Sequence, residues 1–156
     1  MIVATLAGGA LAAAQPRVHH DAIAHGASLA VDPKEADATR ALLKATGNNI
    51  LGVVDFVGSE STSSMAVNIV RRAGKVVIVG LFGGEFRCGV PLFPFKSMSV
   101  EGSYVSGLNE LRELMELAQK IKLPEIPLTL RPLSQVNQSL EDLAAGRVVG
   151  RIVLQP

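Results

Sequence analysis

The chain has 156 residues, of which 48% are hydrophobic and 19% charged, and its net charge is +1 at pH 7. That length and apolar fraction supply one sizeable core. A near-neutral charge with no Lys/Arg cluster excludes a nucleic-acid or anionic-membrane surface, and 4% aromatic content leaves no base-stacking platform.

The first fourteen residues are apolar and end in small side chains, as an export signal does. No basic residue precedes Arg17, however, and a signal carries positive charge ahead of its apolar core. Gly8 and Gly9 interrupt the run, which is too short for a membrane span. His19, His20 and His25 follow. Adjacent His19 and His20 point apart on a helix or a strand, so surface imidazoles are expected and a shared metal needs an irregular loop. Cys88 is the only cysteine; it excludes an intrachain disulfide and suits a reducing cytosol.

Pro33 to Thr46 predicts a helix closed by Gly47, with Leu42 and Leu43 facing inward. Ile50 to Val57 and Val76 to Leu81 are near-continuous apolar runs, the pattern of parallel strands covered on both faces. Between them Ser59 is placed to cap a helix carrying Met65, Ala66 and Ile69 at helical spacing, with Gly74 expected to end it. Each strand runs into a glycine, Gly58 or Gly80, at its carboxyl end. That end is where ligands bind an open α/β sheet.

Glu85 to Val105 concentrates Phe86, Phe93, Phe95 and Tyr104 in a chain with five Phe and one Tyr. Pro91 and Pro94 keep this stretch out of a central strand, so it is expected at a sheet edge, a candidate surface for self-association. Its end, Val100 to Val105, reads as the last parallel strand. Leu108, Leu111, Met115 and Ala118 then fall at helical spacing. Ser134 is the expected cap of a final helix with Val136, Leu140 and Leu143 before Gly146, and Arg147 to Leu154 reads as a turn and strand. All these apolar positions are expected in the core.

DFVGS at Asp55 to Ser59, RRAGKVVIVGLFGGE at Arg71 to Glu85, EGSYVSGLNELREL at Glu101 to Leu114 and PLSQVNQSLEDLAAGRVVGRIVLQP at Pro132 to Pro156 resemble successive segments of the zinc-type, medium-chain alcohol dehydrogenases. The resemblance runs in order from His25 onward and implies an α/β, Rossmann-like, mostly parallel sheet with helices on both faces. It divides the chain into a partial nicotinamide dinucleotide-binding domain, 1–123, and a tail, 124–156, that in the family returns to the substrate domain. It implies the cofactor-binding part of an NAD(P)-dependent oxidoreductase in the cytoplasm, the cofactor being NAD or NADP.

By that resemblance Gly58 and Ser59 lie near the adenosine half of the cofactor. Val79, Gly80 and Leu81 pass the nicotinamide, and backbone groups of Ser103, Tyr104 and Val105 hold its carboxamide. Arg151 matches an arginine that reaches the pyrophosphate, a role suited to a planar fork of donors; its alternative is a pair with a surface carboxylate. The last strand of the domain pairs with a second copy in the family, which implies a homo-oligomer through 85–105.

Two parts of the family pattern are missing. Its zinc is held in a preceding domain by Cys, His and an acidic residue, and often a second zinc by four cysteines; this chain has one Cys, three His and no CxxC, so neither zinc nor a catalytic residue is expected in it. The family's first strand, GxGxxG turn and helix have as counterpart only Thr5 to Ala10, with Leu11 to Gln15 as the helix start. In a second register Ile2 to Thr5 is the next strand and Leu6 takes the ribose-binding acidic position. Either way one βα unit is absent or damaged. Loss of the central first strand would leave its neighbours about 10 Å apart, two strand spacings, and force the sheet to rearrange. A nucleotide-binding or dimerisation module without catalysis is the other reading.

Overall fold

The computed structural model describes residues 2–3, 10–12, 22–23, 26–32, 35–121 and 126–156. It divides into two compact units, Met1–Ser106 and Gly107–Pro156.

The first unit is a six-stranded sheet with the order β3-β2-β1-β4-β5-β6. The strands are β1 (Ile2–Val3), β2 (Ala10–Ala12), β3 (Leu29–Val31), β4 (Gly52–Asp55), β5 (Lys75–Ile78) and β6 (Ser99–Gly102). β2 pairs with β3, β4 with β5 and β5 with β6, all parallel. β1 lies between β2 and β4 and runs antiparallel to both. A two-residue strand in reverse direction thus occupies the central gap and gives β2 and β4 backbone partners, which answers the expected rearrangement. Leu11 and Ala12 lie in β2, which corrects the expected helix start at Leu11 to Gln15. The glycine turn at Thr5 to Ala10 falls, apart from Ala10, outside the described residues, as do His19, His20 and His25.

Helix α1 (Ala38–Ala45) begins later than expected, because Glu35 to Asp37 form a turn. It ends as predicted: Asn48 N–H donates to the Leu43 carbonyl and Gly47 N–H to that of Lys44, with Gly47 left-handed at φ 59. Helix α2 (Glu60–Ile69) has the expected cap at Ser59. Its end differs. Val70 turns extended and stops the helix, while Gly74 lies beyond it where a Cβ would strike Val70, Leu51 and Arg71. Gly74 is thus needed for close approach of the chain rather than as a cap. Pro91 opens a short helix, α3 (Leu92–Lys96), and the stretch reaches the sheet at β6, its edge.

The core gathers Leu42 of α1, Ile50 and Val53 at β4, Ala66, Val67 and Ile69 of α2, Val70, Val76 of β5 and Met98. Each of its larger side chains contributes roughly 1.5–3 kcal/mol by leaving water. Phe86, Leu92 and Phe93 pack against it.

The second unit holds α4 (Leu108–Lys120), β7 (Leu128–Pro132), α5 (Val136–Ala144) and β8 (Arg151–Gln155), with β7 and β8 parallel. Two expectations fail here. Leu108, Leu111 and Met115 are exposed, as are Leu140 and Leu143, so these apolar stripes are not core within this chain. Ser134 sits in a 3₁₀ turn (Leu133–Gln135), and α5 starts after Gln135 without a side-chain cap. Arg131 of β7 is tied to α5 through Asp142, which also accepts from Arg147 and Gln138.

Candidate functional site at the carboxyl edge of the sheet

A parallel sheet aims the carboxyl ends of its strands at one edge, and in this chain those ends carry Asp55 to Ser59, Val79 to Leu81 and Ser103 to Val105. Pairing continues past the strands. Val79 and Gly80 N–H both donate to the Asp55 carbonyl, Phe82 N–H to Val57, Gly83 N–H to Gly58 and Ser103 N–H to Ile78. Gly58, Ser59, Val79, Gly80, Leu81 and Ser103 are therefore brought together on one edge of the first unit. Tyr104 and Val105 follow directly and are exposed, Val105 in a left-handed turn at φ 47. β6 stops at Gly102, short of the expected Val105.

Two glycines make this edge possible. Gly58 is left-handed at φ 67, and a Cβ on it would overlap the Gly80 carbonyl; a Cβ on Gly80 would overlap Val57. Only bare backbone crosses backbone so closely. The sequence marked both residues as strand ends but not that they touch.

The turn between them is fixed by polar contacts. Ser59 Oγ accepts from Thr62 N–H, and Thr62 Oγ1 accepts from Ser59 N–H, a reciprocal capping box. Asp55 is fully buried, and its carboxylate accepts from Val57 and Gly58 N–H and from the hydroxyls of Thr62 and Ser63. Sequence reasoning gave Asp55 no role, although an acid at a strand end before a G-S-x-x-T cap carries the signal for it.

Beside the turn lies a groove of about 640 Å³ lined by Ser59, Glu60, Ser61, Ser64, Phe82, Gly83 and Gly84. Its charge is a single carboxylate at the start of α2, which favours the helix dipole but repels phosphate. Hydroxyl-bearing, uncharged groups suit it better. Lys96 approaches α2 from the other end, where its Nζ donates at 2.9 Å to the carbonyls of Val67, Asn68 and Val70. Burial draws its pKa below the ordinary lysine value, and the neighbouring Cys88 opposes that fall.

Arg151 opens β8 in the second unit. It is exposed, its side chain donates to the Gly150 carbonyl, and no carboxylate among the described residues pairs with it. No group of three or more His, Cys, Asp or Glu side chains converges among the described residues. The described residues hold one Cys and no His from which to build the zinc centre, whereas the glycine crossing and its groove fit a dinucleotide laid over the strand ends.

No helix among the described residues is long and apolar enough to cross a membrane. Residues 4–120 match the family described as zinc-binding dehydrogenase. An NAD-dependent alcohol dehydrogenase of Sulfurisphaera tokodaii is 28% identical over 132 residues, 84% of this chain and 38% of that protein. The crystal structure of the alcohol dehydrogenase from Aeropyrum pernix superposes with a TM-score of 0.83 at 32% identity, over 94% of this chain and 42% of that one. Benzyl alcohol dehydrogenase from Acinetobacter calcoaceticus, at 18% identity and a TM-score of 0.78 over 93% of this chain and 41% of that one, shares the fold. The chain spans about two-fifths of the length of these relatives. With the family match covering most of its residues, the chain belongs to the zinc-type, medium-chain alcohol dehydrogenases and represents their cofactor-binding part.

Proposed function

We propose that this chain binds a nicotinamide dinucleotide, NAD or NADP, across the carboxyl edge of β4, β5 and β6, as the cofactor-holding part of an alcohol dehydrogenase-like oxidoreductase of the cytoplasm. The observation that carries this reading is the crossing of Gly58 and Gly80, which leaves bare backbone and a hydroxyl-lined groove where a ligand meets the strand ends. Gly58 and Ser59 take the adenosine half. Val79, Gly80 and Leu81 line the nicotinamide, the backbone of Ser103, Tyr104 and Val105 holds its carboxamide, and Arg151 reaches the pyrophosphate. Residues 1–123 form the nucleotide-binding part and 124–156 the tail toward a substrate domain.

The cofactor supplies or accepts a hydride; these residues hold and orient it. No zinc ligand set converges among the described residues, and no residue is given a catalytic role. The chain alone is expected to bind cofactor without oxidising alcohol. Fluorescence titration with NADH and NADPH, beside an alcohol oxidation assay, tests this. Saturable binding without turnover supports it, and binding of neither nucleotide overturns it.

A second reading, association between copies, is supported by the open edge at β6 with Phe95, Tyr104 and Val105 exposed beside it. In that reading 85–105 is the homo-oligomer surface.

A further inference from the structure

We infer that Asp55 is the positioning residue of the crevice, a buried carboxylate that fixes both of its walls. The inference rests on the nucleotide reading for its function and on hydrogen bonds alone for its geometry. Asp55 ends β4 with no exposure to solvent. Oδ1 accepts from Val57 N–H at 3.0 Å and Gly58 N–H at 3.1 Å; Oδ2 accepts from Thr62 Oγ1 at 2.7 Å and Ser63 Oγ at 3.2 Å. All four acceptor sites of the carboxylate are filled, and no cation among the described residues is a partner.

The second wall hangs on the first. The two residues whose N–H groups Asp55 holds are the two whose carbonyls receive Phe82 and Gly83, at 3.0 and 3.2 Å. The Asp55 carbonyl itself takes Val79 and Gly80, at 2.9 and 3.0 Å. One residue therefore sets the β4–α2 turn by its side chain and the exit of β5 through its own backbone and that turn.

The test uses the full chain as wild type, Asp55→Ala and Asp55→Asn, read by amide hydrogen exchange and by NADH titration. Asp55→Ala takes the acceptor from two N–H groups and the Ser63 hydroxyl and leaves Thr62 its bonds to Ser59, so Phe82 and Gly83 amides should exchange about tenfold faster or more while Val76 and Val77 in β5 keep their protection, and NADH should bind roughly tenfold more weakly. Asparagine offers an oxygen to the two N–H groups and an NH₂ to the two hydroxyls, so Asp55→Asn should recover most of both losses. Should Asp55→Ala fail to fold, Thr62→Val with Ser63→Ala removes half of the shell and should give a smaller loss in the same amides. Unchanged Phe82 and Gly83 exchange in whichever of these variants folds overturns the lock, and so does an Asp55→Asn variant that recovers nothing. Faster exchange with unchanged NADH affinity overturns the positioning role. Wild type that binds neither NADH nor NADPH is a failure of the nucleotide reading, visible before any variant is made, and exchange then decides the lock alone; wild type that binds NADPH alone moves the titrations to NADPH.

Discussion

Gly58 and Gly80 meet backbone to backbone at the ends of β4 and β5, with no room for a methyl group on either. Gly58→Ala adds a left-handed strain to that overlap, since Gly58 sits at φ 67. The two costs together give an expected loss of about 2–4 kcal/mol of stability. Gly102 makes the control: a Cβ there meets nothing, and Gly102→Ala should stay within about 0.5 kcal/mol of wild type. Urea unfolding of both variants checks this, and equal midpoints would refute the crossing.

Lys96 supplies what α2 lacks. The last turn of that helix has no basic residue, and the Lys96 ammonium arrives from α3 to donate to the carbonyls of Val67, Asn68 and the cap residue Val70. Lys96→Met keeps the stem and removes the charge, with an expected loss of about 1–2 kcal/mol, since the site is partly exposed. A thermal or urea midpoint unchanged by the substitution would leave the ammonium with no capping role.

Acid should loosen the second unit through Asp142. Hydrogen bonds from Arg131, then Arg147 and Gln138, hold its carboxyl down to about 2, below the usual aspartate range. A folded pKa below the unfolded one means that the unfolded chain binds more protons between the two values. The stabilisation is complete above the unfolded pKa of about 4 and is lost as pH falls toward about 2. Asp142→Asn should flatten the pH dependence of unfolding in that window. A slope equal to that of wild type would place the acid sensitivity elsewhere.

How far the sequence reaches is clear from particular residues. The β4–α2–β5 unit was legible because buried strands read as apolar runs and Ser59 has the chemistry of a cap. Gly74 and Ser134 were misplaced because a glycine needed for close approach, or a serine in a 3₁₀ turn, has the same letter as a cap. The antiparallel β1 was not legible, since its place depends on which strands need partners rather than on two residues of its own. The stripes on α4 and α5 have core periodicity, yet burial is a property of what lies opposite, and within this chain they remain exposed. At the site, Gly58 and Gly80 were visible as strand ends; the shell of Asp55 required coordinates.

Arg151 gives a direct test of the pyrophosphate role. Its guanidinium has no carboxylate partner among the described residues to lose, so Arg151→Ala should leave the melting temperature nearly unchanged. Nucleotide affinity should fall by roughly 1.5–3 kcal/mol, the range for hydrogen bonds to charged groups. Titration with NADH and with ADP-ribose, which shares the pyrophosphate, should show the same loss. Equal affinity in wild type and variant would leave the arginine a surface residue.

β6 closes the sheet on one side, so among the described residues half of its backbone donors and acceptors face no neighbouring strand. Beside it Phe95, Tyr104 and Val105 are 74%, 72% and 76% exposed. Phe93, by contrast, packs on the core, so its replacement would unfold the unit rather than test the edge. Pairing β6 with the same strand of a second copy satisfies the open backbone and removes apolar area on both copies at once, as a two-fold contact does. Wild type is therefore expected to sediment as a dimer at micromolar concentration, and Phe95→Asp to shift it toward monomer with its melting temperature little changed. A wild type that sediments as a monomer throughout that range sinks the proposal, whatever the variant does.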